Sequence, residues 1–290
     1  MTERKSVRTG FVETNGAKLY YEMAGKGPAL TLLHAGYLDC RMWDDQFTHF
    51  AQEYQVLRYD IRGHGQSTFP ERPFADEQDL STLLTAVGVE KTALLGLSLG
   101  GWIAVDFTLQ HPEMVQALVL VGAAVSGLPP ELTPQEEDLS AQEQQEAARW
   151  NQALQERNLS VLVQVVMQDA TLVPSPHFPA ARQRVQELLS RSSFAYFFKP
   201  ELRQILSHPA YQRLAELRVP TLLIVGDQDH LLLRRTAQVL EEKIEGAKRI
   251  MLADSRHLAN MEQPERFNQI ALAFLKQVHT PKPGAQAESP

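Results

Sequence analysis

The 290-residue chain is 43% hydrophobic and carries a formal charge of −7, enough apolar material for one large domain or one domain with a sizeable insertion, which excludes disorder throughout. Acids and bases are interspersed, with many acids in one Glu/Gln-rich stretch, so the charge describes a solvated surface and argues against nucleic acid as a partner. The single cysteine, Cys40, excludes an internal disulfide and a multi-cysteine metal cluster; residues 1–10 lack the apolar core of a secretory signal and no stretch is apolar enough to span a bilayer, so a cytoplasmic protein is expected.

In chain order, residues 11–13 and 18–22 read as strands around an Asn15-Gly16 hairpin turn. Gly25, Gly27 and Pro28 break the pattern before residues 29–33, a short apolar run suited to a strand buried on both faces, which ends at His34-Ala35-Gly36-Tyr37. Met42, Trp43, Phe47 and Phe50 have helical spacing within a helix predicted over residues 42–53, and residues 56–60 form the next strand. A glycine-rich turn from Arg62 to Ser67 precedes a helix over residues 77–87, then a strand over residues 92–95. Residues 99–110 are helical, with Gly101, Ile103, Ala104 and Phe107 able to pack on a sheet, and residues 117–121 form a further strand.

From residue 126 to 214 the strand rhythm stops, and the chain becomes Gln/Glu-rich and helical with proline breakers, which reads as an inserted helical cap. The rhythm resumes with a strand at 220–226, a helix at about 234–244, a strand at 248–253 and a last helix at 264–278. The expected organisation is a core over residues 1–125 and 215–279, a cap over 126–214, and a disordered Pro/Ala/Gly-rich tail over 280–290. Short buried strands alternating with helices predict an α/β architecture: a mostly parallel eight-stranded central sheet, helices on both faces, and ligands at the carboxyl ends of the strands.

Gly96-Leu97-Ser98-Leu99-Gly100 lies at such an end, between a buried strand and a helix. A Gly-x-Ser-x-Gly sequence carries meaning only in that context, where a sharp turn holds the serine in a strained backbone and pushes its hydroxyl outward. Further motifs are Asp60-Ile61-Arg62-Gly63-His64-Gly65-Gln66-Ser67, Gly226-Asp227-Gln228-Asp229, and Asp254-Ser255-Arg256-His257-Leu258 followed by Glu262-Gln263-Pro264-Glu265. Asp227 and Asp229 are two residues apart, so an extended segment points them similarly and leaves both open as an acid. Asp229 also reads as the N-cap of a helix opening at Leu231.

Taken jointly and in order, these motifs resemble the α/β-hydrolase family, in its serine-nucleophile, esterase-like branch with a helical cap. The resemblance implies a catalytic triad of Ser98 as nucleophile, Asp229 rather than Asp227 as acid, and His257 as base. It implies an oxyanion hole from the backbone amides of Gly36 and Leu99, with Ala35 standing where the family usually has glycine. The chemistry needs these types: a serine hydroxyl is a poor nucleophile until an imidazole accepts its proton, and the imidazole needs an acceptor for its other N–H. His34 is read as a structural residue shaping the oxyanion loop.

The expected activity is hydrolysis of a small to medium carboxylic ester or lactone through an acyl-enzyme. Ser98 excludes branches with an aspartate nucleophile. Carbon–carbon hydrolases of ring-fission products usually carry tryptophan just after the histidine, where this chain has Leu258; they remain the alternative, with a binding receptor on the same fold. The expected pocket is lined by Tyr37, Trp102, Val166, Phe194, Phe197 and Leu258, and takes an uncharged, partly apolar acyl group. No cofactor or metal is expected. The partner is a small ester-like molecule, and the assembly a monomer or homodimer.

Overall fold

The computed structural model describes residues 7–129 and 141–279. The 280–290 tail expectation lies outside them. The sheet has eight strands: β1 (Arg8–Thr14), β2 (Ala17–Ala24), β3 (Ala29–Leu33), β4 (Gln55–Tyr59), β5 (Thr92–Leu97), β6 (Val115–Val121), β7 (Thr221–Gly226) and β8 (Lys248–Leu252). Their order is β1-β2-β4-β3-β5-β6-β7-β8. β1 and β2 are antiparallel, β2 meets β4 antiparallel, and β3 to β8 run parallel. β5 and β7 are buried at every residue, which is why they read as unbroken apolar runs rather than alternating ones.

The sheet divides the apolar interior into two layers. Ala93, Leu95 and Leu97 of β5 face one layer, with Phe47, Phe50, Phe267, Ala271 and Leu275. Leu94 faces the other, with Leu80, Leu83, Ile103, Phe107 and Leu240. The first layer is therefore closed by α1 (Asp44–Phe50) and the C-terminal helix, and the second by α2 (Asp76–Val87), α3 (Leu99–Gln110) and the helix after β7. Full burial of a large aliphatic or aromatic side chain contributes roughly 1.5–3 kcal/mol, so these layers dominate the stability of a chain without disulfides.

Among the described residues, the chain between β6 and β7 adds no strand to the sheet. It forms α4 (Ala141–Gln155), α5 (Leu159–Gln168), α6 (Pro179–Leu189), α7 (Ala195–Phe198) and α8 (Ala210–Arg213). Leu162, Val166, Val185, Leu189 and Phe194 of this segment join the first layer, and Tyr196, Leu206 and Leu214 the second. After β7 come α9 (Leu231–Lys243), α10 (Ala259–Glu262) and α11 (Pro264–His279). The helix expected over 42–53 is instead a 3-10 turn at Cys40–Trp43 followed by α1. Asp39 accounts for the difference: its side chain accepts from Arg41 N and fixes a tight first turn.

Candidate active site

Ser98 joins β5 to α3 with φ 56° and ψ −111°, a conformation that a residue with a side chain holds only when its surroundings impose it. Those surroundings are close backbone contacts. A Cβ on Gly96 would collide with the Gly100 carbonyl, one on Gly100 with the Leu33 carbonyl, and one on Gly101 with the Ala123 side chain. Ser98 N donates to Val121 O at 2.9 Å, and Ser98 O accepts from Trp102 N at 3.0 Å and from Ala124 N at 3.3 Å. The turn is thus pinned on both sides of the serine.

His257 and Asp229 are both nearly fully buried, and Nδ1 of the imidazole lies 3.1 and 3.3 Å from the two carboxylate oxygens. The contact suits the Nδ1–H tautomer, which donates to a carboxylate and leaves the lone pair on Nε2. Asp229 Oδ1 also accepts from His230 N at 2.7 Å. The N-cap reading of Asp229 passes to its neighbour: His230 Nδ1 accepts from Leu232 N at 3.2 Å, which caps α9 and leaves Asp229 to the histidine.

Asp227 does different work. Its Oδ1 accepts from Ser255 N at 3.2 Å, bracing the loop that carries His257. Buried Glu262 braces the same loop, accepting from Ser255 Oγ at 2.8 Å, from Arg256 N at 2.6 Å, and from Ser175 N of the helical segment at 2.7 Å. Gly122, after β6, was not singled out from sequence. At φ 45° it passes so near the pair that a Cβ would stand 2.7 Å from Asp229 Oδ2 and 2.9 Å from His257 Nδ1.

His34 shapes the loop that carries Gly36. It holds Ala35 O at 2.7 Å through Nδ1 and accepts from Ile61 N at 2.9 Å through Nε2. Burial, with His64 adjacent, lowers its pKa to about 3, so it is a neutral bridge. Ala35 N is taken by Met42 Sδ at 3.2 Å. Among the described residues, none accepts from the amides of Gly36 or Leu99, and both residues border the same cavity as Ser98 and His257.

That cavity has a volume of about 580 Å³, within the range of small-molecule sites. Tyr37, Trp102, Val166, Phe197 and Leu258 line it as expected. Phe194 is a correction: it is fully buried beside Tyr37 and Trp150 and does not reach the cavity. Phe194 precedes α7 in the left-handed region at φ 51°, so it does not share a helix face with Phe197, which lies within α7 and lines the cavity. Leu172, Val185, Leu189 and Tyr196 also line the cavity, and Arg203 does so as the unexpected charge. Backbone pairing fixes Arg203 there: Phe74 N donates to Leu202 O at 2.9 Å and Gln204 N to Phe74 O at 2.7 Å. No sequence period signals a one-residue bridge between segments so far apart.

Asp39, Cys40 and Asp60 bring ligand-type atoms within 4.8 Å of one another, but protein donors already occupy them. Arg41 takes Asp39 through two side-chain bonds, and Cys40 N and Gln66 N take the two oxygens of Asp60. Burial pushes the Cys40 thiol well above its ordinary pKa, so no thiolate is offered. This cluster builds a turn and does not fit a metal centre.

The family model for the alpha/beta hydrolase fold matches residues 28–264. A 3-oxoadipate enol-lactonase of Acinetobacter baylyi is 24% identical over 285 residues, covering 96% of this chain and 97% of its own. A 2-hydroxy-6-oxononadienedioate/2-hydroxy-6-oxononatrienedioate hydrolase of Burkholderia vietnamiensis is 28% identical, covering 89% and 91%. Among solved structures, a hydrolase from Pseudomonas aeruginosa superposes with a TM-score of 0.76 at 27% identity, covering 92% of this chain and 98% of its own.

Proposed function

The chain belongs to the alpha/beta hydrolase fold family, and from that membership we propose that it is a serine hydrolase of small to medium carboxylic esters or lactones. One observation carries the reading: the strained Ser98 opens into the cavity that His257, already paired with buried Asp229, also lines. In the proposed reaction Ser98 Oγ attacks the substrate carbonyl carbon as His257 Nε2 accepts its proton. Asp229 accepts from Nδ1–H and stabilises the imidazolium. The amides of Gly36 and Leu99 receive the developing oxyanion. The alcohol then leaves with the proton from His257, and water activated by the same imidazole releases the acid from the acyl-enzyme. With a lactone the leaving alcohol stays tethered to the acyl chain.

The described helices between β6 and β7 serve in this reading as a cap that supplies the acyl wall through Val166, Val185, Leu189 and Phe197. The lactonase relative supports ester-type chemistry. The carbon–carbon hydrolase relative keeps the alternative within the family, and Leu258 in the cavity wall, where those enzymes usually carry tryptophan, argues against it.

Hydrolysis of p-nitrophenyl esters from acetate to decanoate tests this function. The expected kcat/KM rises about fourfold per methylene while the cavity fills, then falls once the chain exceeds it. Absence of turnover across the series in folded protein would reject the ester reading. The acid assignment has its own test. Asp229→Asn is expected to lower kcat by about 10³- to 10⁴-fold through the wrong imidazole tautomer, and Asp227→Asn by under about tenfold, since Asp227 reaches only the loop backbone. Equal losses would reassign the acid.

A further inference from the structure

We propose that Arg203 receives a free carboxylate of the substrate, so that the ester or lactone cleaved at Ser98 carries a second, ionised acid group beyond the scissile bond. This rests on the hydrolase reading above and replaces the expected uncharged acyl group. Among the described residues lining the cavity, Arg203 is the one with a permanent charge. A guanidinium has five N–H donors and no acceptor. Its Nε donates to Asp76 Oδ2 at 2.6 Å, and its Cζ lies over the Trp102 ring, 4.1 Å from the centroid. Among the described residues, no acceptor meets Nη1 or Nη2.

Those donors border an otherwise apolar space. They are not shut away from solvent, and a planar carboxylate can take both in parallel. The neighbouring acids do not fill that role. Asp76 Oδ2 is already shared with the Tyr196 hydroxyl, which donates at 2.8 Å. Asp106 is turned to Trp102 Nε1, 2.8 Å away. Asp76 is the direct countercharge of Arg203 at Nε; burial, reinforced by Glu77 and Asp76 and opposed by Trp102 and Arg203, raises the Asp106 carboxyl to about 7, so near neutrality much of it is uncharged.

Position sets the reach. Trp102 lies one helical turn beyond Ser98, about 6 Å along the α3 axis, and Arg203 covers that ring. A half-ester of a dicarboxylic acid is the simplest substrate that presents a carbonyl to Ser98 and a carboxylate to Arg203 within one cavity, and a series of such half-esters measures the spacing between them.

The test compares mono-p-nitrophenyl succinate, glutarate and adipate with neutral p-nitrophenyl esters of equal acyl length at pH 7.5. The expected result is a preference of about 30-fold in kcat/KM for at least one half-ester, expressed in KM, which collapses toward unity in Arg203→Gln and is partly kept in Arg203→Lys. A ratio near one in the wild-type protein, or one unchanged by Arg203→Gln, overturns the proposal. Calorimetric binding of free glutarate and of its neutral diamide to Ser98→Ala supplies a readout without turnover and without altering Arg203. Tighter binding of glutarate than of the diamide by about 30-fold supports the carboxylate site even where no ester is cleaved. Equal binding of the two sinks it while leaving neutral-ester hydrolysis to stand.

Discussion

Ser98→Ala is expected to reduce kcat on any accepted ester by about 10⁴-fold or more, with stability unchanged within about 0.5 kcal/mol. The loss is large because the proposed reaction has no other nucleophile at the junction of β5 and α3. What would survive in that reaction is the proposed oxyanion amides and binding in the cavity, which by themselves retain only a fraction of the rate. Stability is spared for a separate reason. Ser98 is held through its backbone, by bonds to Val121, Trp102 and Ala124, and its hydroxyl has no bond to another described residue. Alanine meets the same φ of 56°, so the strain is neither added nor relieved. Steady-state kinetics beside urea unfolding checks both halves. A variant that keeps within about tenfold of wild-type kcat while fully folded would remove Ser98 from the chemistry.

Asp79→Ala is expected to destabilise the fold by about 3–5 kcal/mol, a large share of the roughly 5–15 kcal/mol typical of a domain. Arg62 is buried with its side chain fully covered. It bonds Asp79 through Nε and Nη2, both at 2.7 Å, while Thr14 Oγ1 donates to the same carboxylate at 3.0 Å. The cluster joins β1, the turn after β4 and α2. Removing Asp79 leaves a guanidinium in the interior with no ion-pair partner among the described residues. The pair itself is not a large gain: burial outweighs Arg62 and raises the Asp79 carboxyl above its ordinary pKa, so desolvation consumes much of the attraction. The double variant Arg62→Met, Asp79→Leu should accordingly recover most of the single-variant loss. Urea midpoints with an unchanged slope measure both. Additive losses in the double variant would refute the account.

The same contrast runs through the molecule. Buried parallel strands must be apolar on both faces, so β3, β5, β6 and β7 stood out as short unbroken runs, and the alternation with helices followed. The serine turn was equally legible, since its glycines answer to backbone atoms only a few residues away or on the adjacent strand. Local periodicity determines backbone state and side-chain face, and those are the features the chain carried openly.

Tertiary structure decided the rest. Asp227 and Asp229 are in phase on one segment, and only the loop after β8, brought alongside, gives one of them Ser255 N and the other His257. Phe194 and Phe197 share a helical interval, yet a left-handed residue before α7 sends one into the core and the other to the cavity. Arg203 belongs to no motif in the sequence, and its bridge to Phe74 sets it over Trp102. In each case a residue's role depends on a partner distant in sequence, and the spacing of neighbours along a chain contains no record of which distant segment will pack against them.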